Sequence, residues 1–276
     1  MDKADQNSDV LKYVRAERIH TGDKTQAPQR ESVCVIIEAP ITIDIEGVET
    51  YTILCTPTEK PALTVGFMYT EGVIESMDDI KVLKECHDDP NTIRVRLTTE
   101  RPRIDDADRN LLIVSSCGAC GSENLKQRIE ALPKVDETLN IEASLLMSVY
   151  DDLRSYQPLF KASGGAHAAA LFDETGRIIS SAEDSGRHNA LDKAIGKCLL
   201  DRRPTAGLGV ALTSRLSLEM VGKCARSGIE LIAAVSAPTS MAIDVANQCN
   251  ITLCAFVRET RATVFTHLSR IIGTCG

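Results

Sequence analysis

Apolar residues along this chain follow two different rhythms, and the change between them predicts two kinds of structure. From Val33-Cys34-Val35-Ile36-Ile37 onward the first half alternates. Ile41, Ile43 and Ile45 are separated by polar residues, a Glu46-Gly47 turn follows, and Tyr51, Ile53 and Cys55 continue the alternation. That pattern predicts a β-hairpin with one buried face. Pro61 suits the first turn of a helix running through Ala62-Leu63-Thr64-Val65-Gly66-Phe67-Met68, and Ile93, Val95 and Leu97 mark a further strand. The expectation is a small α+β unit.

The second half instead repeats a short apolar run, a polar break and then residues at helical spacing. Leu208–Leu212 precedes a segment from Ser217 to Ser227 with Leu218, Val221, Cys224 and Ala225 on one face. Leu231–Val235 precedes a segment from Thr239 to Gln248 with Ala242, Val245, Ala246 and Cys249 on one face, and Ile251–Phe256 follows. Upstream, Ala166–Phe172 and Arg177–Ser181 read as a hairpin closed at Thr175-Gly176, followed by a helix from Arg187 to Leu200. Continuous apolar strands alternating with helices predict an α/β layer containing parallel pairs. The expected organisation is a polar arm over residues 1–29, an α+β domain over 30–136 and an α/β domain over 137–276.

The polar breaks hold the candidate binding chemistry. They are Glu183-Asp184-Ser185-Gly186-Arg187-His188, Thr213-Ser214-Arg215, Ser236-Ala237-Pro238-Thr239-Ser240 and Val257-Arg258-Glu259-Thr260-Arg261. Each follows a strand, and the first three open a helix. Ligands of open α/β sheets sit at the carboxyl ends of the strands, and helix N-termini with hydroxyls and arginines suit phosphate. Asp184, Arg187, His188, Ser214, Arg215 and Ser236 are therefore candidate ligands for a nucleotide or pyrophosphate. Taken singly, Asp184, Arg187 and Arg215 also read as rim salt bridges, and His167, His188 and His267 as structural histidines. The chain has no Walker A or G-x-G-x-x-G motif, which disfavours an ordinary NTPase or dinucleotide dehydrogenase.

Charge narrows the partner. The chain of 276 residues has a net charge of −8, which argues against a general nucleic-acid binder. Residues 201–276 hold eight Lys/Arg against five Asp/Glu, so the excess of acid lies in residues 1–200. A locally basic C-terminal part suits one anionic ligand. No apolar run is long enough to span a bilayer and the first residues lack signal-peptide character, so a soluble, cytoplasmic protein without membrane contact is expected. Ten cysteines in that setting stay reduced, and Cys55, Cys198, Cys224, Cys249 and Cys254 fall on apolar faces as small core residues.

Cys117 and Cys120 differ. They form the C-x-x-C of Ser115-Ser116-Cys117-Gly118-Ala119-Cys120-Gly121, between the apolar run Leu111–Val114 and a segment from Ser122 to Leu132 with Leu125, Ile129 and Leu132 at helical spacing. Ser122 suits an N-cap. Thiols just before a helix N-terminus lean toward thiolate, the nucleophilic form, and the two glycines give the loop freedom. The pattern reads as a sulfur-handling loop. It is also compatible with half of a zinc site, although no second C-x-x-C or H-x3-5-H supplies further ligands, with a thioredoxin-type redox pair, or with two cysteines of no consequence.

Several longer stretches resemble the FdhD/NarQ family of sulfurtransferases required for formate dehydrogenase activity. They are Gly66–Ile74, Cys117–Gly121, Gly164–Ala170, Glu183–Lys193, Ser214–Val221, Ser236–Thr239 and Arg261–His267. The resemblance implies that sulfur is taken from a cysteine desulfurase as a persulfide on Cys117 and passed to the molybdenum cofactor, bis-molybdopterin guanine dinucleotide, which then enters the catalytic subunit of formate dehydrogenase. Cys120 matches the partner cysteine. Phe256, Val257, Arg258, Glu259, Thr260 and Arg261 match the family's cofactor-binding segment, for which GDP is the expected mimic. The resemblance also implies a cytidine deaminase-like three-layer C-terminal domain and a homodimer. Ser185 stands where Val is usual, and Glu259-Thr260 replaces a Pro-Gly-like turn. Zinc deaminases place a Glu two residues after their His, whereas Ala168-Ala169 follow His167, so deaminase chemistry is disfavoured. Two other classes remain open: a thiol–disulfide oxidoreductase cycling Cys117 and Cys120, and a cofactor chaperone that keeps no sulfur.

Overall fold

The computed structural model describes residues 9–22, 27–99, 122–258 and 260–273. The C-x-x-C loop, with Cys117 and Cys120, and Glu259 lie outside the described residues. What is described is a mixed α/β structure built on a four-stranded sheet, a six-stranded sheet and two two-stranded pairs.

The N-terminal pattern folds as read, and the unit also holds strands that the pattern did not mark. β1 (Leu11–Arg18) pairs antiparallel with β2 (Gln29–Ile36), so part of the stretch expected to be a polar arm is a ribbon. Its sequence hides this because no residue of β1 is buried, and the signal is the pairing itself. β3 (Ala39–Ile45) and β4 (Glu49–Cys55) form the hairpin, with Gly47 at φ 76° in its turn. The left-handed value there explains the glycine. After α1 (Lys60–Thr70), β5 (Ile80–Glu85) and β6 (Thr92–Leu97) complete the sheet in the order β4-β3-β6-β5. β6 inserts parallel to β3 through Ile43↔Ile93 and Ile45↔Val95, and Ile41, Ile43, Ile93 and Val95 are all within 1% of full burial.

α1 is apolar on nearly every side, which is the mark of a helix enclosed by protein. One flank packs on the four-stranded sheet and another on α5 (Arg187–Leu200). The crossing depends on two glycines: a Cβ at Gly66 would lie 1.8 Å from the Asp192 carbonyl oxygen, and one at Gly196 would lie 1.9 Å from that of Ala62. The helices therefore meet backbone to backbone.

The connection through α2 (Ser122–Glu130), β7 (Ile141–Glu142), α3 (Ala143–Leu153) and α4 (Pro158–Ser163) leads into the large sheet. Its strands are β8 (His167–Phe172), β9 (Ile178–Asp184), β10 (Gly209–Leu212), β11 (Leu231–Ala234), β12 (Thr252–Arg258) and β13 (Arg261–Thr266), in the order β13-β12-β11-β10-β8-β9. β14 (Ile271–Ile272) pairs with β7 outside it. β10, β11 and β12 are mutually parallel, while β8 runs antiparallel to both β10 and β9. It follows that β9 points the same way as β10.

Alternation along the strands sends side chains to two cores. Ala169 and Leu171 face α5, α6 (Leu218–Arg226) and α7 (Ser240–Gln248), whereas Ala168, Ala170 and Phe172 face α3. Helices thus cover both faces. The five cysteines assigned to the core, Cys55, Cys198, Cys224, Cys249 and Cys254, are at most 1% exposed. No helix among the described residues is long and apolar enough to cross a membrane.

Candidate functional site

Strand direction decides where the polar breaks meet. The carboxyl ends of β9, β10, β11 and β12 share one edge of the large sheet, together with the first residues of β8 and β13, His167 and Arg261. Backbone hydrogen bonds stitch the loops there into one rim. Thr213 N–H donates to the Ala168 carbonyl at 3.1 Å and Leu216 N–H to that of Ala237 at 3.1 Å, while Thr239 N–H donates to Leu216 at 2.9 Å. The Thr213 hydroxyl also accepts from Ala168 N–H at 2.8 Å. α7 is capped by Thr239, whose hydroxyl accepts from Ala242 N–H at 3.2 Å.

A cleft of about 600 Å³ opens at this edge on the α3 side of the sheet. The strand ends supply Thr213, Val235, Val257 and Arg258, and the helical side supplies Met147, Tyr150, Asp151, Arg154 and Gln157. The Tyr150 hydroxyl donates to the Leu212 carbonyl at 3.3 Å, and burial pushes its pKa far upward, so it stays protonated at the floor. Arg154 sits at the mouth, 3.6 Å from Asp151, with both side chains exposed.

The fourth polar break forms the tip of the β12–β13 hairpin, where Arg258 and Arg261 are direct cross-strand partners, both exposed. Like charges set opposite one another are unfavourable unless an anion joins them. Just before the tip the register shifts, and Phe256 adopts φ 54°, a left-handed value that is costly for a residue with a Cβ. The bulge leaves Phe256 41% exposed with its ring centroid 6.3 Å from that of Phe265. Val257 is turned inward and buried, while Thr260 is exposed.

Farther along the same edge, on the α5 and α6 side, Arg187 and His188 occupy the first turn of α5 and are half-buried. His188 Nε2 lies 3.8 Å from a carboxylate oxygen of Glu219 in the first turn of α6. The imidazole beside it draws the Glu219 pKa down to about 2, against the opposing effect of burial. Burial lowers the His167 pKa, and the positive charge of Arg187 lowers it further. Arg187 Nε is buried without a hydrogen-bond partner among the described residues. Arg215 is exposed, Ser236 is half-buried, and Ser214 is buried with its hydroxyl donating to the Arg215 carbonyl at 3.1 Å.

Asp184 requires a correction. It was expected to contact a ligand, but it is 0% exposed and turned beneath the rim. Its Oδ1 accepts from Gly186 N–H at 2.8 Å and from the Asn189 amide at 3.0 Å, and its Oδ2 accepts from Thr56 N–H at 3.0 Å and pairs with Lys193 at 2.6 Å. These partners leave it no open face. Two further troughs, on the outer face of the N-terminal sheet, are lined by solvent-facing charges such as Lys84, Arg94, Arg96 and Glu46 and lie away from this rim.

Residues 36–272 match the model of the FdhD/NarQ family. The chain belongs to that family. It is 37% identical over 259 residues to "Sulfur carrier protein FdhD" of Bordetella bronchiseptica, covering 92% of each chain. It is 40% identical over 238 residues to the protein of that name from Sulfolobus acidocaldarius, covering 86% of this chain and 90% of the relative. Among solved structures it resembles a protein from Desulfotalea psychrophila assigned as a formate dehydrogenase accessory protein, with a TM-score of 0.76 at 25% identity over 95% of this chain and 100% of that one.

In this FdhD/NarQ chain, sequence reasoning found the rim loops but missed the helical wall of the cleft and the Glu219 partner of His188. α3 was legible: Leu146, Val149, Tyr150 and Leu153 repeat at helical spacing and are its buried residues. Glu219 was not, because it opposes His188 only after α5 and α6 pack side by side.

Proposed function

We propose that this protein is a sulfur carrier serving formate dehydrogenase. It takes sulfur from a cysteine desulfurase as a persulfide on Cys117 and passes it to bis-molybdopterin guanine dinucleotide. Kinship at up to 40% identity with proteins named for sulfur carriage supports the reading most directly. In the first step the Cys117 thiolate attacks the terminal sulfur of the donor persulfide. A new S–S bond forms at Cys117, the donor S–S bond breaks, and the donor cysteine leaves as thiolate, with no net redox change. Cys120 is the neighbouring thiol available to resolve that persulfide.

The rim supplies what a guanine nucleotide cargo needs. Arg258, Arg261 and Arg154 are forks for phosphate oxygens, and exposed Phe256 offers a face for stacking a base. Arg187 adds positive charge along the same edge, with the His188 imidazole beside it. In this reading the C-terminal half is deaminase-like in the order of its elements but lacks the deaminase glutamate. The carrier works in the cytoplasm as a homodimer and hands the loaded cofactor to the catalytic subunit of formate dehydrogenase.

The test is intact-mass measurement after incubation with a cysteine desulfurase and cysteine. The wild type should gain one sulfur atom, lost on treatment with a reductant, and Cys117→Ala should gain none while still binding GDP. Sulfur retained by Cys117→Ala, or GDP binding lost with it, refutes the assignment of separate roles.

A further inference from the structure

The first turn of α5 is not anchored by its own half of the protein alone. Thr56 follows β4 in the N-terminal unit, and it is 0% exposed, as are Asp184 and Lys193. Thr56 bonds through all three of its polar groups. Its N–H donates to Asp184 Oδ2 at 3.0 Å, its Oγ1 accepts from Ser185 N–H at 3.1 Å, and its carbonyl accepts from Lys193 Nζ at 2.9 Å. Lys193 also reaches Thr58 Oγ1 at 3.3 Å, and the Asn189 amide donates to the Leu54 carbonyl at 2.8 Å. The Ser185–Asn189 turn is therefore held from below by the Asp184–Lys193 pair and by the chain from Leu54 to Thr58, with Glu38 accepting from the Ser185 hydroxyl at 3.3 Å and Glu219 beside His188 on its outer side.

A buried ion pair contributes little net stability compared with apolar packing, because desolvation offsets the attraction. What it does provide is a fixed geometry. Asp184 draws Gly186 N–H and the Asn189 amide to one oxygen, and Lys193 holds the other oxygen against the N-terminal unit. Between these tethered residues stand Arg187, the rim cation on this side, and the His188 imidazole. A shift of the turn moves both.

Resting on the proposed function, we infer that Thr56, Asp184 and Lys193 are positioning residues: they make the placement of Arg187 and His188, and hence anion binding at the rim, depend on the docked N-terminal unit. The coupling is physical rather than a matter of distance, since the same three residues bridge both units.

The test uses the full chain with GDP as probe. Removing Lys193 alone strands a buried carboxylate and risks misfolding, so the informative variant is Thr56→Val, which keeps the volume and both backbone bonds while deleting the Oγ1 acceptor. It should weaken GDP binding about tenfold, or roughly 1.4 kcal/mol. Thr56→Ser should restore binding. In an Arg187→Ala background the Thr56→Val change should cost less than it does in the wild type, because part of its effect runs through Arg187. Without any ligand, Thr56→Val should speed exchange of the Ser185 amide at least tenfold. GDP binding equal to wild type in Thr56→Val, failure of Thr56→Ser to rescue, losses that add in the double variant, or unchanged Ser185 exchange would each overturn the inference. If the wild type itself does not bind GDP, the rim reading falls, and the exchange measurement still decides whether Thr56 holds the turn.

Discussion

Gly196→Ala gives the sharpest test of how the two units are joined. Helix propensity alone predicts a gain, since alanine is better than glycine in a helix interior by about 1 kcal/mol. The structure predicts the opposite. The new Cβ would lie 1.9 Å from the Ala62 carbonyl oxygen, 2.7 Å from its carbon and 2.8 Å from the Gly66 nitrogen. All three are backbone atoms, which cannot rotate away. To bring the nearest contact to about 3.0 Å the helices must separate by about 1.1 Å, the difference between that limit and the distance given. Such a displacement strips contact from the apolar interface of α1 and α5, and overpacking of this kind costs about 1–3 kcal/mol or more. The expected outcome is a net loss of about 2 kcal/mol or more in guanidinium titration, and a fall in Tm of roughly 4–8 °C at this chain length. Gly164→Ala is the matched control. Its Cβ meets nothing within 4 Å, and the cost is limited to the backbone strain of φ 68°. If Gly196→Ala is as stable as the wild type or more so, the backbone-to-backbone contact is not what holds α1 against α5.

Three further outcomes follow. Lys223 pairs with Glu71 at 2.7 Å and Asp192 at 2.9 Å, all essentially buried, so Lys223→Met should cost about 3–5 kcal/mol in denaturant titration, partly recovered by adding Asp192→Asn. The Glu219 carboxyl is held below its ordinary value of 4.5, so its contribution is complete above that pH and is lost as the pH falls toward about 2; His188→Gln should flatten that part of the stability profile. Replacing Arg258 and Arg261 by Ala should weaken GDP binding and reduce its salt dependence, measured by calorimetry between low and physiological salt; an unchanged affinity would place the nucleotide elsewhere.

Periodicity determined a large share of the structure. The hairpin at Ile41–Cys55, the strands of the second half and the helix Arg187–Leu200 are local patterns, and side chains two or 3.6 residues apart report directly on which face is buried. The apolar cysteines were legible for the same reason, and the rim could be read because each polar break followed a strand that proved to point the same way.

The tertiary structure alone decided which charges leave the surface. In the sequence Asp184, Lys193, Lys223 and Arg270 look like ordinary solvated residues, and Asp184 looks like a ligand contact. In the fold all four are buried, with partners far along the chain: Asp184 meets Thr56 across 128 positions, and Lys223 meets Glu71 across 152. A charged side chain bears no local mark of its eventual counterion, because the energy that allows its burial exists only once two distant segments have packed together. Burial patterns repeat over a few residues and are written in the sequence, whereas ionic pairing between units arises only with the packed whole.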